Sequence, residues 1–192
     1  IREVMAQSGT RADEIGLASL STTLATNALV EGQGGRVALI YIGFRPSDLD
    51  KHGLREALKG DPALVMSGGH NHAGGQAHPL DLDALSAFLD TECIGVSGFA
   101  VAAQFATRNP AHELAVAQMI SERTQVPVTC SHQLSARLNG PKRAVTAVLN
   151  ARLIGMIDRL IGRAQDTLVD LGITAPMMVV RGDGALMSAE QA

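Results

Sequence analysis

Ser19-Leu-Ser-Thr-Thr-Leu-Ala-Thr-Asn-Ala-Leu29, followed shortly by Arg36-Val-Ala-Leu-Ile-Tyr-Ile-Gly43, reads as strand, helix, strand. A helix opening near Thr22 carries Thr22, Thr23, Thr26 and Asn27 at i, i+1, i+4 and i+5, an arc of roughly 140°. Leu24, Ala25, Ala28 and Leu29 take most of the opposite side. The arc follows an apolar strand, so it sets hydrogen-bonding groups at a strand's C-terminal end, where open α/β sheets bind ligands. The alternative is an amphipathic helix with a solvated polar side. Solvated faces usually carry Lys and Glu, however, and Thr is an indifferent helix former.

Outward from this stretch, apolar β-type runs alternate with helical patterns along the chain. That alternation predicts an α/β fold with a mostly parallel sheet. Strands are predicted near Gly16–Leu20, Arg36–Ile42, Ala63–Ser67, Cys93–Phe99, Val126–Ser131 and Met177–Arg181. Asp81 caps a helix whose Leu82, Leu85, Phe88 and Leu89 form one apolar stripe. Asn109 caps the next, with Pro110 at its first position, and that helix runs towards Arg123. Asp48–Lys59 reads as a weaker helix interrupted by Gly53. The longest element runs from Pro141 to about Asp170, roughly 45 Å of helix, more than one compact unit needs. It is expected to join two units. Its first half, Ala144 to Ile157, is apolar nearly all round apart from Asn150 and Arg152, which implies burial on several sides. A buried Asn150 needs partners for its amide. Asn139-Gly-Pro141 gives turn chemistry just before the helix and marks the boundary near Leu138–Lys142.

The 192 residues are 46% hydrophobic and 18% charged with a net charge of −3, a globular composition. One Tyr and no Trp on a weakly acidic chain supply neither the basic stripe nor the stacking platforms of nucleic-acid binders. No apolar run approaches the roughly 20 residues that span a bilayer, and no secretory pattern opens the chain, so no membrane partner is expected and the cytoplasm is the default. Cys93 and Cys130 sit in strand-like apolar runs and read as two buried thiols.

Three further stretches could carry chemistry. Met178-Val-Val-Arg-Gly-Asp-Gly-Ala-Leu-Met-Ser188 sets Asp183 between Gly182 and Gly184 at a strand end, where backbone can approach a ligand while the carboxylate holds a cation or water. A plain Asp-Gly tight turn is the other reading. Arg108-Asn-Pro-Ala-His-Glu113 combines a cation, a helix N-terminus and an acid–base pair. Arg108 and Asn109 could hold a phosphate or carboxylate while His112 or Glu113 exchanges protons; the same residues could serve only as a capped helix start. Gly68-Gly-His-Asn-His-Ala-Gly-Gly75 places His70 and His72 at i and i+2. An extended backbone there projects both rings to one side, a spacing compatible with a divalent metal, and a flexible Gly-rich loop with incidental His is the alternative.

The same residues carry a resemblance. Ser21-Thr-Thr-Leu-Ala-Thr-Asn-Ala28 is similar to the Thr-Thr-x-x-Thr-Asn-Ala signature of the hydantoinase A/5-oxoprolinase family. Arg108 to Glu113 with Phe99 before it resembles that family's Phe/Ser-x-x-Asn-Pro-x-His-Glu motif. Ser131-His-Gln-Leu-Ser135, Arg143-Ala-Val-Thr-Ala-Val-Leu-Asn-Ala151 and the Gly-Asp-Gly turn follow in family order. Within the family an acidic residue can follow the Gly-Gly-His; here it is Asn71. The family's Asp-x-Gly-Gly-Thr phosphate loop and later Ser-Gly-Pro segment do not occur, so the chain reads as an internal piece of a longer subunit.

The resemblance implies part of an actin-like, ribonuclease H-like ATPase architecture using ATP and Mg, a hydantoinase B-type partner subunit, an oligomer, and a cyclic-amide substrate. Residues 1–138 would then be the C-terminal part of the family's N-terminal region, and 139–192 the start of the hydantoinase A domain. It implies phosphate or substrate contacts from Thr22, Thr23, Thr26, Asn27 and Asn150. Asp183 with Gly182 and Gly184 would serve the Mg–ATP side, and Arg108, Asn109, His112 and Glu113 would orient substrate or relay a proton. His70 and His72 would supply a second divalent metal site. Related enzymes carboxylate ketones with ATP. A metal-dependent amidohydrolase would need a barrel of about 250 residues, and a subunit-docking module would use the long helix for assembly alone.

Overall fold

The computed structural model describes residues 2–21, 27, 34–180 and 184–188. In chain order its elements begin with α1 (Arg2–Ser8), β1 (Ala18–Ser21), β2 (Val37–Ile42), α2 (Leu54–Leu58), β3 (Ala63–Met66), α3 (Leu82–Thr91) and β4 (Gly98–Ala103). There follow α4 (Ala111–Arg123), β5 (Val128–Cys130), α5 (Ser131–Leu134), α6 (Gly140–Asp170), β6 (Met177–Val180) and β7 (Leu186–Ser188). They form two compact units, one of Ile1–Gln33 with Met156–Ala192 and one of Gly34–Gly155. The fold is mixed α/β with mostly parallel pairing, as the alternation of patterns predicts. No helix among the described residues is long and apolar enough to cross a membrane.

The Gly34–Gly155 unit is built on four parallel strands in the order β3-β2-β4-β5. All six residues of β2 and all six of β4 are buried, because helices cover both faces and an unbroken apolar run fits that environment. Side chains alternate between the faces. Ala38, Ile40, Ile42, Phe99 and Val101 pack with Leu85 and Phe88 of α3 and with Val116 and Ile120 of α4. Val37, Leu39, Tyr41, Ala100 and Ala102 pack with Leu54 and Leu58 of α2 and with Ala144, Ala147, Val148 and Ala151 of α6. This order, with its reversal between β2 and β4, is that of a flavodoxin-like doubly wound sheet.

Glycines let α6 lie directly on the sheet. A Cβ on Gly98 would stand 2.5 Å from the Ala151 carbonyl oxygen, and one on Gly155 would stand 2.2 Å from that of Ser97. Arg152, 4% exposed, is held by its bonds. Its Nη1 donates to Gly35 O at 2.9 Å, and its Nη2 to Ala57 O at 3.0 Å and to the Asp61 carboxylate at 2.8 Å. The helix is not buried all round, however, since Leu149 and Ile154 are exposed.

The other unit pairs β1 with β6 in parallel and β6 with β7 antiparallel, and it buries Ile161, Leu168, Ile173 and Val179. Residues 156–170 of α6 belong to it, so the one helix runs through both units. β7 lies beyond the last predicted strand; three residues are too few to show a period.

Two boundaries move. The strand predicted from Cys93 starts at Gly98, because Gly95 is left-handed (φ 73°) and Val96 N–H closes a turn onto Cys93 O. Cys93 is therefore a partly buried thiol outside the sheet, and Cys130 ends β5; both are free, and burial pushes them up to about 11 and about 12. Helix α4 starts at Ala111, one residue late, with the Asn109 side chain still accepting the Ala111 N–H. Asp81 caps α3 as expected, accepting from Ala84 N–H at 3.0 Å, although Leu82 of the predicted stripe is exposed.

Candidate functional site

The C-terminal ends of β2, β3 and β4 come together around the sheet's switch point. Gly43 N–H donates to Met66 O at 2.9 Å, Gln104 N–H to Ile42 O at 2.9 Å and His70 N–H to Gln104 O at 3.0 Å, so the three loops are tied edge to edge. Gly43 (φ 78°) is required here, since a Cβ would meet Gly68 O at 2.7 Å. Above this backbone lies a cleft of about 520 Å³ whose lining includes Phe44, Arg45, Ser67, His78 and Gln104.

Beside it, His70 and His112 stack at 4.3 Å with a 41° tilt. His112 Nδ1 accepts the Gly69 N–H at 2.9 Å, which leaves the neutral ring's proton on Nε2. His70 is 2% exposed, and its Nδ1 is buried without a hydrogen-bond partner. Desolvation lowers the pKa of both rings, and His70 lowers His112 further, so both are neutral near pH 7. A pair of neutral imidazoles can accept a proton or contact a ligand.

Glu113 has a different environment. It is fully buried, and its carboxylate accepts from Ala103 N–H (2.8 Å), Ser131 Oγ (2.6 Å) and His132 N–H (3.0 Å), with His132 Nδ1 at 2.5 Å. Arg143, 1% exposed, completes the cluster by donating to Ser131 Oγ, Ala103 O and Arg137 O. The cluster joins the end of β4 to α4, α5 and the start of α6. Glu113, Cys130 and His132 offer oxygen, sulfur and nitrogen within 4.8 Å of one another, a spacing a metal could use. The carboxylate's four lone-pair positions are already met by four partners, and burial keeps the Cys130 thiol protonated. The arrangement is a hydrogen-bonded anchor.

The remaining expected residues are spread out. His72 is exposed on the same loop that buries His70. That loop is a hydrogen-bonded turn: Asn71 Oδ1 accepts Ala73 and Gly75 N–H, and Asn109 Nδ2 donates to Gly74 O. Arg108 is exposed in the turn that precedes α4. Asn150 is half-buried and finds its partner in Thr129 Oγ1 at 3.4 Å. In the other unit Asn27 is helical and exposed, and Gly184 is left-handed at φ 82°. Thr22, Thr23, Thr26, Gly182 and Asp183 lie outside the described residues. Their flanks are Ser21 and Val180, which face each other in the β1–β6 register.

Sequence reasoning assigned no role to Ser131, His132 or Arg143. The signal available was the pair of matched segments Ser131–Ser135 and Arg143–Ala151, in which Ser131, His132 and Arg143 are polar residues beside apolar runs.

Comparison with known proteins follows the same lines. The family described as the hydantoinase/oxoprolinase N-terminal region matches residues 1–124. Caprolactamase subunit alpha of Pseudomonas jessenii is 26% identical over 182 residues, covering 86% of this chain and 26% of that protein. The acetophenone carboxylase gamma subunit of Aromatoleum aromaticum is 26% identical over 195 residues, covering 85% and 26%. The chain thus spans about a quarter of the length of these curated relatives. The ATP-dependent caprolactamase structure from Pseudomonas jessenii superposes with a TM-score of 0.70 at 22% identity, over 98% of this chain and 30% of that one. Nucleotide-free acetone carboxylase gives 0.61 at 16%, over 97% and 31%. Both establish the fold.

Proposed function

The chain belongs to the hydantoinase/oxoprolinase N-terminal-region family, and from that premise we propose that it is part of an ATP-dependent cyclic-amide hydrolase of the hydantoinase or 5-oxoprolinase type. The observation that carries the reading is the similarity to caprolactamase subunit alpha over 86% of the chain. ATP, when bound, would phosphorylate the amide oxygen, which makes the carbonyl carbon a better electrophile and the ring nitrogen easier to expel.

The chain's own contribution divides between its two units. In the first, Thr22, Thr23, Thr26 and Asn27 take phosphate or substrate oxygens while Asp183, between Gly182 and Gly184, holds the Mg side. The Ser21–Val180 register supports this, because both runs leave neighbouring strand ends. In the second, His112 exchanges a proton through Nε2 with His70 beside it, and Arg108 and Asn109 orient substrate. Glu113 acts by holding the frame of this edge. A hydantoinase B-type partner, an oligomeric assembly, an actin-like nucleotide cleft, the division at residue 138 and a cytoplasmic setting complete the proposal.

A second reading, an ATP-dependent ketone carboxylase subunit, is favoured by the equal 26% identity to the acetophenone carboxylase gamma subunit. ATP hydrolysis by the longer subunit carrying this chain, with its B partner, separates the two. We expect stimulation by one of hydantoin, 5-oxoproline or caprolactam, and at least a hundredfold loss in Asp183→Asn. Stimulation only by acetophenone with bicarbonate would establish the carboxylase. No stimulation with partner binding intact would leave a docking module.

A further inference from the structure

We propose that His132 is a base of the reaction: Glu113 holds its ring by Nδ1, and its Nε2 takes the proton that the substrate must lose. The proposal rests on the ATP-dependent reading above and serves both forms of it. A cyclic amide attacks the γ-phosphorus through its carbonyl oxygen and ADP leaves. The ring N–H bond then breaks with its electron pair kept on nitrogen, which becomes doubly bonded to carbon. Carboxylating a ketone beside its carbonyl breaks a C–H bond, and that proton too needs an acceptor. Solvent water finally takes the proton from His132 and restores the lone pair on Nε2.

The hydrogen-bond inventory fixes the tautomer. Glu113 is fully buried and meets two partners at each oxygen. Oε1 accepts from Ala103 N–H at 2.8 Å and from Ser131 Oγ at 2.6 Å. Arg143 Nε donates to Ser131 Oγ at 3.3 Å, which turns the hydroxyl proton towards Glu113. Oε2 accepts the His132 backbone N–H at 3.0 Å, and its other partner is His132 Nδ1 at 2.5 Å. A carboxylate only accepts, so Nδ1 carries the ring's proton and Nε2 a lone pair. Backbone and ring of one residue meet the same oxygen, which pins the imidazole.

No hydrogen bond engages Nε2 among the described residues, and the His132 side chain keeps 17% of its surface exposed. It stands in the turn of helix that directly follows β5, at the C-terminal edge of the sheet, where open α/β sheets bind ligands. His112 is in the opposite state, because its Nδ1 accepts the Gly69 N–H and its Nε2 therefore donates. The helices that follow β4 and β5 thus present one ring N–H donor and one ring nitrogen acceptor, a complementary acid and base. A buried carboxylate that orients a partly open imidazole is the relation of Asp to His in a Ser-His-Asp triad, so Glu113 is a positioning residue.

Two measurements test this. The first needs no activity: long-range ¹H–¹⁵N correlation on the 192-residue chain labelled with ¹⁵N-histidine should place the neutral His132 proton on Nδ1 at pH 8. A proton on Nε2 overturns the proposal. The second uses the longer subunit with its B partner and whichever of hydantoin, 5-oxoproline, caprolactam or acetophenone with bicarbonate stimulates ATP hydrolysis. His132→Ala should lower kcat at least a hundredfold with KM within threefold. Added imidazole should then raise the variant's kcat at least tenfold, and more basic imidazoles should raise it further. A kcat within threefold of the parent overturns the proposal and leaves the ATP-dependent reading standing, as does a loss that imidazole fails to restore. No stimulation of the parent by any of these compounds overturns that reading and the proton transfer with it.

Discussion

At the scale of single residues, His70 and His112 are buried neutral, and their protonation has consequences for stability. Both pKa values are lowered in the folded state relative to the unfolded value of about 6.5. The unfolded chain therefore binds more protons, so their contribution is present above about pH 6.5 and is lost as pH falls through the folded values. Urea midpoints should drop between pH 6.5 and 4.5, and His112→Gln should flatten that drop; an unaltered slope would place the pH sensitivity elsewhere. Glu113 is a fully buried carboxylate with four hydrogen-bond partners. Glu113→Gln removes the charge and turns an NH₂ towards groups that themselves donate, which should cost at least about 2 kcal/mol in urea unfolding.

At the scale of elements, α6 can lie on β4 because glycine occupies both points of closest approach. Gly155→Ala should destabilise by about 1–3 kcal/mol, since the nearest atom is the Ser97 backbone oxygen at 2.2 Å and cannot rotate away. A thermal melt of the variant within error of the parent would show that helix and strand separate freely. The elements were the most legible part of the sequence. β2 is six consecutive apolar residues, and an unbroken run of that length fits a strand buried on both faces. The start of β4 was misread because Ile94 and Val96 are β-type residues placed in a turn by Gly95, a local backbone choice that hydropathy does not register.

For the whole molecule, the Gly34–Gly155 unit is one continuous stretch with a complete sheet covered on both faces. Expressed alone, residues 34–155 should fold and unfold cooperatively in urea, monitored by circular dichroism. A gradual, featureless loss of signal would mean that its core depends on the rest of the chain. The other unit draws on both ends of the sequence and has no such independent segment.

Taken by itself, the sequence determined the alternation of strands and helices from β2 to β6, which stretches are rich in chemistry, and the family signatures in their order, because periodicity and motif spacing are local properties. The tertiary structure alone decided the order β3-β2-β4-β5 and with it the switch-point cleft. It also brought Glu113 to Ser131, His132 and Arg143, and His70 to His112 across 42 residues of chain. Hydrophobic alternation says which face of a strand is buried and is silent on which strand lies beside it. That choice is made by non-local pairing and by the few glycines that let backbones touch.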